Sequence, residues 1–172
     1  MNPRSRPRVF LDSNVILAGL LSTWGLDKAI LSLGAAQIVK VVIAEVIRRE
    51  VERNLLIHAE TLSREDSDRL LGDYDLFIQL SRPEIVPPPV PSEVRKHRSL
   101  IRHLADVPIL LSALSSDPEW FITHNTEHFT PHVARRTGLH IVTPRDLFSE
   151  LVKTFTIGNW TRTNTECTES WV

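Results

Sequence analysis

The sequence is poor in the residues that mark several protein classes. Cysteine occurs once, at Cys167. That excludes an intrachain disulfide and any thiolate metal cluster, and it fits a reducing compartment. No stretch approaches the roughly 18 apolar residues of a membrane span, and Met1 to Pro7 lacks the apolar core of a secretory signal. The chain is therefore expected to be soluble, cytoplasmic and free of membrane contact, and the sequon Asn159-Trp160-Thr161 to be accidental. Net charge is nearly absent, −1 at pH 7. This argues against gripping long duplex nucleic acid through overall positive charge, a mode that neutralises many phosphates. Internal repeats are absent too.

What is present suffices for one sizeable core. A length of 172 residues with 42% hydrophobic composition matches a single domain, since domains run about 100 to 200 residues. A charged fraction of 24% is that of a globular chain rather than a disordered one. Positive charge gathers at two places, Arg4, Arg6 and Arg8, and the segment holding Arg95, Lys96, His97, Arg98, Arg102 and His103. Each is either a binding lip or solvated surface.

The patterning alternates strands and helices. Val9 to Leu11 reads as a strand ending at Asp12, followed by a helix over Val15 to Leu21. Gly25 to Leu33 predicts a second helix ended by Gly34, and Ile38 to Ile43 a buried strand of β-branched residues. A long helix follows from Ala44 to Ile57. Ser63 and Asp66 resemble a capping box opening a helix through Leu80, which Pro83 stops. Glu84 to Pro91, with four prolines, suits an edge strand and a stiff connection. Asp106 to Leu114 reads as helix, Trp120 to Thr123 as strand, Pro131 to Arg136 as helix and His140 to Val142 as strand. Pro144 opens a closing helix to Leu151. Such alternation signals right-handed βαβ units, and so an α/β fold with a mostly parallel central sheet between two helical layers. Residues 1–151 are expected to form the domain and 152–172, rich in Thr and Asn, a flexible tail.

In open parallel sheets ligands bind beyond the carboxyl ends of the strands, where Asp12 and Asn125 both fall. Asp12 could equally be an N-cap of the next helix. In the helix from Ala44, Ile43, Val46, Ile47, Val51 and Leu55 mark an apolar arc at 100° per residue. Glu50 falls inside that arc, whereas Glu45 and Glu52 point to the solvent side. An unpaired carboxylate facing a core needs a cation, an arginine or a wet cleft. The helix from Asp106 has an arc of Val107, Ile109, Leu110, Ala113 and Leu114. Asp106 lies within it, and Ser112 and Ser115 lie outside. Asp106 could also simply cap that helix. Acids converging in one cleft repel unless a cation screens them, and an all-oxygen set favours hard ions such as Mg²⁺ or Mn²⁺. Such a site can activate water and neutralise charge on a phosphodiester.

At these residues the sequence resembles the PIN-domain family, over roughly Arg8 to Leu151. Val9-Phe10-Leu11-Asp12-Ser13-Asn14-Val15 is similar to the family's opening, with Asp12 as its first metal-binding acid and Asn14 as the nearby small polar residue. Glu50 takes the place of the second acid. Asp106, in Ala105-Asp106-Val107-Pro108, takes that of the third. The departure follows the fourth strand, where the family commonly has Thr, any residue, Asp and then another acid before Phe. Here the run is Thr123-His124-Asn125-Thr126-Glu127-His128-Phe129, with Asn125 and His128 in the acidic places.

The resemblance implies a Mg²⁺- or Mn²⁺-dependent ribonuclease leaving a 5′-phosphate and a 3′-hydroxyl. Asp12, Glu50 and Asp106 would hold metal, while Asn125 and Thr123 orient ligands or water. It also implies RNA as substrate, single-stranded or looped rather than duplex, with an antitoxin and a second copy of the chain as possible protein partners. Three other readings remain. A degenerate PIN module would bind RNA or protein without cutting. His124-Asn125-Thr126-Glu127-His128 matches an inverted zinc-protease pattern, which needs one sustained helix. Asp12 could be the nucleophile of a dehalogenase-type phosphatase, but Asn14 stands where that class needs a second acid.

Overall fold

The computed structural model describes residues 6–163, with side chains described through Lys153. Arg4, Cys167, the sequon side chains and the stretch of the expected tail beyond Thr163 lie outside the described residues. Five short strands form one sheet: β1 (Arg8–Leu11), β2 (Lys40–Ala44), β3 (Glu84–Val86), β4 (Trp120–Ile122) and β5 (Ile141–Val142). Their order is β3-β2-β1-β4-β5, and every pairing is parallel. Central β1 sets the register, with Phe10 beside Val42 on one side and Phe121 on the other.

Parallel neighbours require long crossovers, which the helices supply. α1 (Ser13–Leu21) and α2 (Leu26–Ala35) link β1 to β2, and α3 (Glu45–Ala59) and α4 (Arg64–Ser81) link β2 to β3. α5 (Pro91–Lys96), the turn Leu104–Asp106 and α6 (Val107–Ser116) lead to β4, α7 (Pro131–Thr137) leads to β5, and α8 (Pro144–Thr163) follows. The chain steps outward from β1 to β3, then jumps back past β1 to β4. With right-handed crossovers, that reversal puts α1 to α4 on one face and α5 to α7 on the other. The α/β/α sandwich expected from the sequence results. The reversal also makes the gap between β1 and β4 the crevice where such sheets hold ligands.

The core sits on both faces of the sheet, so the strands read as continuous apolar runs. Phe10, Leu11, Val41, Val42, Phe121 and Ile122 are fully buried. Phe121 makes edge-to-face contacts with Phe10 and Phe129 at centroid distances of 5.0 and 4.8 Å. Among the described residues, no single helix is long and apolar enough to cross a membrane.

Several expected boundaries move. β2 begins at Lys40, because Ile38 is exposed beyond the turn at Gln37, whose φ is 59°. Gly34 does not end α2. It is buried within the helix, where a Cβ would come within 2.5 Å of Val41 Cγ2, so glycine serves close packing there. Edge strand β3 forms as expected, but Pro91 then opens α5, which the prolines had masked as plain connection. Ser112 lies on the packed side of α6 and is buried, a correction to its expected place outside the arc. α8 passes the expected end at Leu151 and reaches Thr163.

Candidate metal centre

Asp12 directly follows β1 and is the N-cap of α1, and it is only 3% exposed. Its Oδ1 accepts the Ser13 N–H at 2.8 Å. Its Oδ2 accepts from Asn14 Nδ2 at 2.9 Å and from the Thr123 hydroxyl at 2.6 Å. Asn14 Oδ1 in turn accepts the His124 N–H at 3.1 Å, which ties the loop after β1 to the loop after β4. The capping reading of Asp12 is therefore correct, yet capping does not neutralise it. Burial raises its carboxyl pKa, the hydrogen bonds from Thr123, Ser13 and Asn14 pull it back, and the charge of Asp106 raises it further.

Glu50 projects from α3 beside the buried positions Ile47 and Val51, and is itself half-buried. Burial raises its pKa first. A hydrogen bond from the Ser13 side chain opposes that, and the charges of Asp12 and Asp106 add to it against a weaker pull from Arg53. Ser13, quoted in the sequence only as part of the opening motif, thus donates its N–H to Asp12 and has its side chain close enough to Glu50 to act on that carboxyl. Glu45 and Glu52, on the other side of α3, are held in ion pairs along the helix. Glu45 pairs with Arg48 at 3.0 Å and Arg49 at 3.1 Å, and Glu52 pairs with Arg48 at 3.5 Å and accepts from the Tyr74 hydroxyl.

Asp106 ends the short turn before α6 and occupies its N-cap position, but its side chain makes no capping bond. Its Oδ2 is buried and has no hydrogen-bond partner. A buried acceptor left without a donor costs on the order of 1–3 kcal/mol, and more when charged. Asp12, Glu50 and Asp106 thus come from three separate segments into one electrostatic field, each with a like-charged neighbour. An all-oxygen donor set with one unsatisfied carboxylate oxygen fits a hard divalent cation.

Asn125 stands beside this group, its N–H donating to Thr123 Oγ1 at 2.9 Å. Both ends of its amide face His128: Oδ1 accepts the His128 N–H at 3.2 Å, and Nδ2 lies 2.9 Å from His128 Nδ1. Asn125 is therefore spent on shaping its own turn. His128 Nδ1 lies 2.7 Å from Asp106 Oδ2, and the His128 ring stacks on His103 at a centroid distance of 3.7 Å. His103 had been read only as part of a basic segment; its spacing of three from Asp106 was the available signal.

The inverted zinc-protease pattern fails on geometry. His124 and His128 lie in a loop, and His124 Nε2 turns away to Asp27 Oδ1 at 2.7 Å. The two basic segments also separate. Arg8 is bound to Glu84, whereas Arg98 and Arg102 join Arg136 and His128 around a cavity of about 500 Å³.

No protein-family model and no curated protein matches the sequence. Solved structures do match the fold. VapBC2 from Rickettsia felis, bound to a DNA fragment from its promoter, aligns with a TM-score of 0.54 at 16% identity, over 79% of this chain and 98% of that one. FitAcB from Neisseria gonorrhoeae aligns with a TM-score of 0.56 at 17% identity, over 79% and 97%. A protein of Pyrobaculum aerophilum aligns with a TM-score of 0.55 at 17% identity, over 86% and 91%. The VapBC and FitAB structures have the PIN-domain fold. At these identities the likeness is one of architecture, and at that level the chain has the PIN-domain fold.

Proposed function

We propose that the chain is a Mg²⁺- or Mn²⁺-dependent endoribonuclease that hydrolyses phosphodiester bonds in single-stranded or looped RNA, and that it is the toxin of a toxin–antitoxin pair. The observation that supports this most directly is that Asp12, Glu50 and Asp106, from three separate segments, feel one another's charge, with a buried Asp106 oxygen that accepts no hydrogen bond. These three carboxylates would hold the ion. When bound, it supplies water activation and screening of the phosphate charge. Asn14 and Thr123 fix the rotamer of Asp12, Ser13 donates its N–H to Asp12 beside Glu50, and Asn125 holds the turn that carries His128. Arg98, Arg102 and Arg136, which line a cavity with His128, would take the RNA backbone, a local charge that an overall −1 does not forbid.

The structural neighbours include VapBC and FitAB complexes, which supports an antitoxin as partner. Exposed apolar side chains, Trp24 at 84% and Leu21, Leu26, Leu76 and Leu80 around 40–50%, offer surface for such a partner or for a second copy in a cytoplasmic homodimer.

The test is degradation of labelled single-stranded RNA by purified protein with Mn²⁺, beside Asp12→Asn, Asp106→Asn and a chelated control. Each substitution should cost more than about a hundredfold, beyond the range typical of losing an outer partner of a metal ligand. Equal cutting by the wild type and both variants would mean contamination and end the nuclease reading. RNA binding without cleavage would select a non-catalytic PIN module, a reading favoured by Asn125 and His128 standing where the family has acids.

A further inference from the structure

The donors beside the acid cluster differ in chemistry from the cluster itself. His103, Asp106 and His128 each bring one ligating atom, and these three atoms lie within 4.8 Å of one another. We infer that His103, Asp106 and His128 form a second cation site, selective for a borderline ion of the Zn²⁺ class, which shares Asp106 with the carboxylate centre.

The local hydrogen bonding shows why a cation belongs there. Asn125 is oriented by accepting the His128 N–H on its Oδ1, so its Nδ2 faces His128 Nδ1 as a donor. The amide thus offers a donor to His128 Nδ1. Asp106 Oδ2 lies 2.7 Å from that same nitrogen, buried and without a hydrogen bond. The two ligating atoms are in close contact, yet no hydrogen bond is aligned between them. An ion takes up both lone pairs, replacing the Asn125 amide at Nδ1.

His103 completes the set by its position in the chain. It precedes the turn Leu104–Asp106, so it stands three residues from Asp106, a spacing that sets side chains on one side of such a turn. It is exposed, which gives an entry path from solvent. Its ring stacks on that of His128 at a centroid distance of 3.7 Å, which holds the two imidazoles side by side. Imidazole nitrogens select Zn²⁺, Co²⁺ or Ni²⁺ over Mg²⁺, and two imidazoles with one carboxylate leave a fourth position open. Occupancy here draws Asp106 away from Asp12 and Glu50, so Zn²⁺ and Mn²⁺ should compete.

Calorimetric titration of untagged, metal-stripped protein with Zn²⁺ and, separately, Mn²⁺ tests this. One equivalent of Zn²⁺ should bind. His103→Ala and His128→Gln should each weaken it at least tenfold and leave Mn²⁺ binding intact, whereas Asp12→Asn should lose Mn²⁺ and keep Zn²⁺. Zn²⁺ prebound to the wild type should weaken Mn²⁺. Absent Zn²⁺ binding, binding indifferent to both histidine substitutions, or Zn²⁺ lost with Asp12→Asn would overturn the inference. If circular dichroism shows His128→Gln unfolded, the exposed His103 variant decides. The inference does not depend on cleavage: a protein that cuts no RNA but binds Zn²⁺ through these histidines sinks only the nuclease reading.

Discussion

The two ends of β1, four residues long, treat charge in opposite ways. At its start, Arg8 donates to both oxygens of Glu84, at 2.8 and 2.9 Å, and to the Ser116 carbonyl at 2.8 Å. The guanidinium holds the Glu84 carboxyl below the usual carboxylate range, chiefly through that hydrogen bond. Just past its end, Asp12 is buried among other acids and its pKa is pushed up, chiefly by burial. One end has its counter-charge built into the chain, and the other leaves it to be supplied from solution. A fold can tolerate the second arrangement only if something gained in function offsets the repulsion, which is why the uncompensated end is where chemistry should be sought.

Supplying the missing charge should give the largest effect. Mn²⁺ at a hundred times its dissociation constant adds about 2.7 kcal/mol to stability, which for a chain of this size raises the melting temperature by several degrees. Glu50→Gln should reduce that increment, whereas Arg8→Met should leave it whole. Thermal melts with and without Mn²⁺ measure both. No shift in the wild type would place the acids' counter-charge elsewhere.

The same contrast explains what the sequence disclosed. The strands and the inward-facing Glu50 were legible because burial against a sheet imposes periodicity, and Val41 to Ile43 or Ile47, Val51 and Leu55 could hardly be read otherwise. Asp12 and Asp106 could be flagged only as ambiguous caps. The difference between them, one capping and one not, depends on side-chain rotamers that no spacing encodes. Residues acting across long sequence separations stayed invisible. Arg8 was counted with a basic segment although its partner is 76 positions away. Ser13 was taken as part of a motif although its side chain acts on the Glu50 carboxyl of α3. Gly34 looked like a helix terminator because the pattern does not show Val41 pressing on it.

Removing the built-in counter-charge is the next test in size. Arg8→Met leaves Glu84 and the Ser116 carbonyl without their donor. Both charged side chains are about a third exposed, so water takes over part of the loss and the cost should be about 1 kcal/mol. Its pH dependence has a definite sign. The folded pKa of Glu84 is depressed below its ordinary 4.5, so the pair contributes in full above about pH 4.5 and loses its contribution as pH falls through the depressed value. Urea unfolding of wild type and Arg8→Met should therefore differ at pH 7 and converge in acid. A gap that widened on acidification would contradict the pairing.

The smallest effect should run against intuition, because it predicts that deleting a charge does no harm. Asp106 Oδ2 accepts no hydrogen bond, and the Asp106 carboxylate raises the pKa of both Asp12 and Glu50 by repulsion. Asp106→Asn keeps the shape, lifts that repulsion and loses no hydrogen bond at Oδ2. In the presence of chelator its stability should equal the wild type or exceed it by up to about 1 kcal/mol, in the range of the modest gains available where a protein is not at its stability optimum. With Mn²⁺ the order should invert, since the wild type gains the ion and the variant does not. Chemical unfolding in chelator and in Mn²⁺ separates the two regimes. A variant clearly weaker in chelator would mean that Asp106 is a structural partner, its close approach to His128 acting as an ion pair, and the carboxyl end of β1 would then be compensated in the same way as the end that carries Arg8.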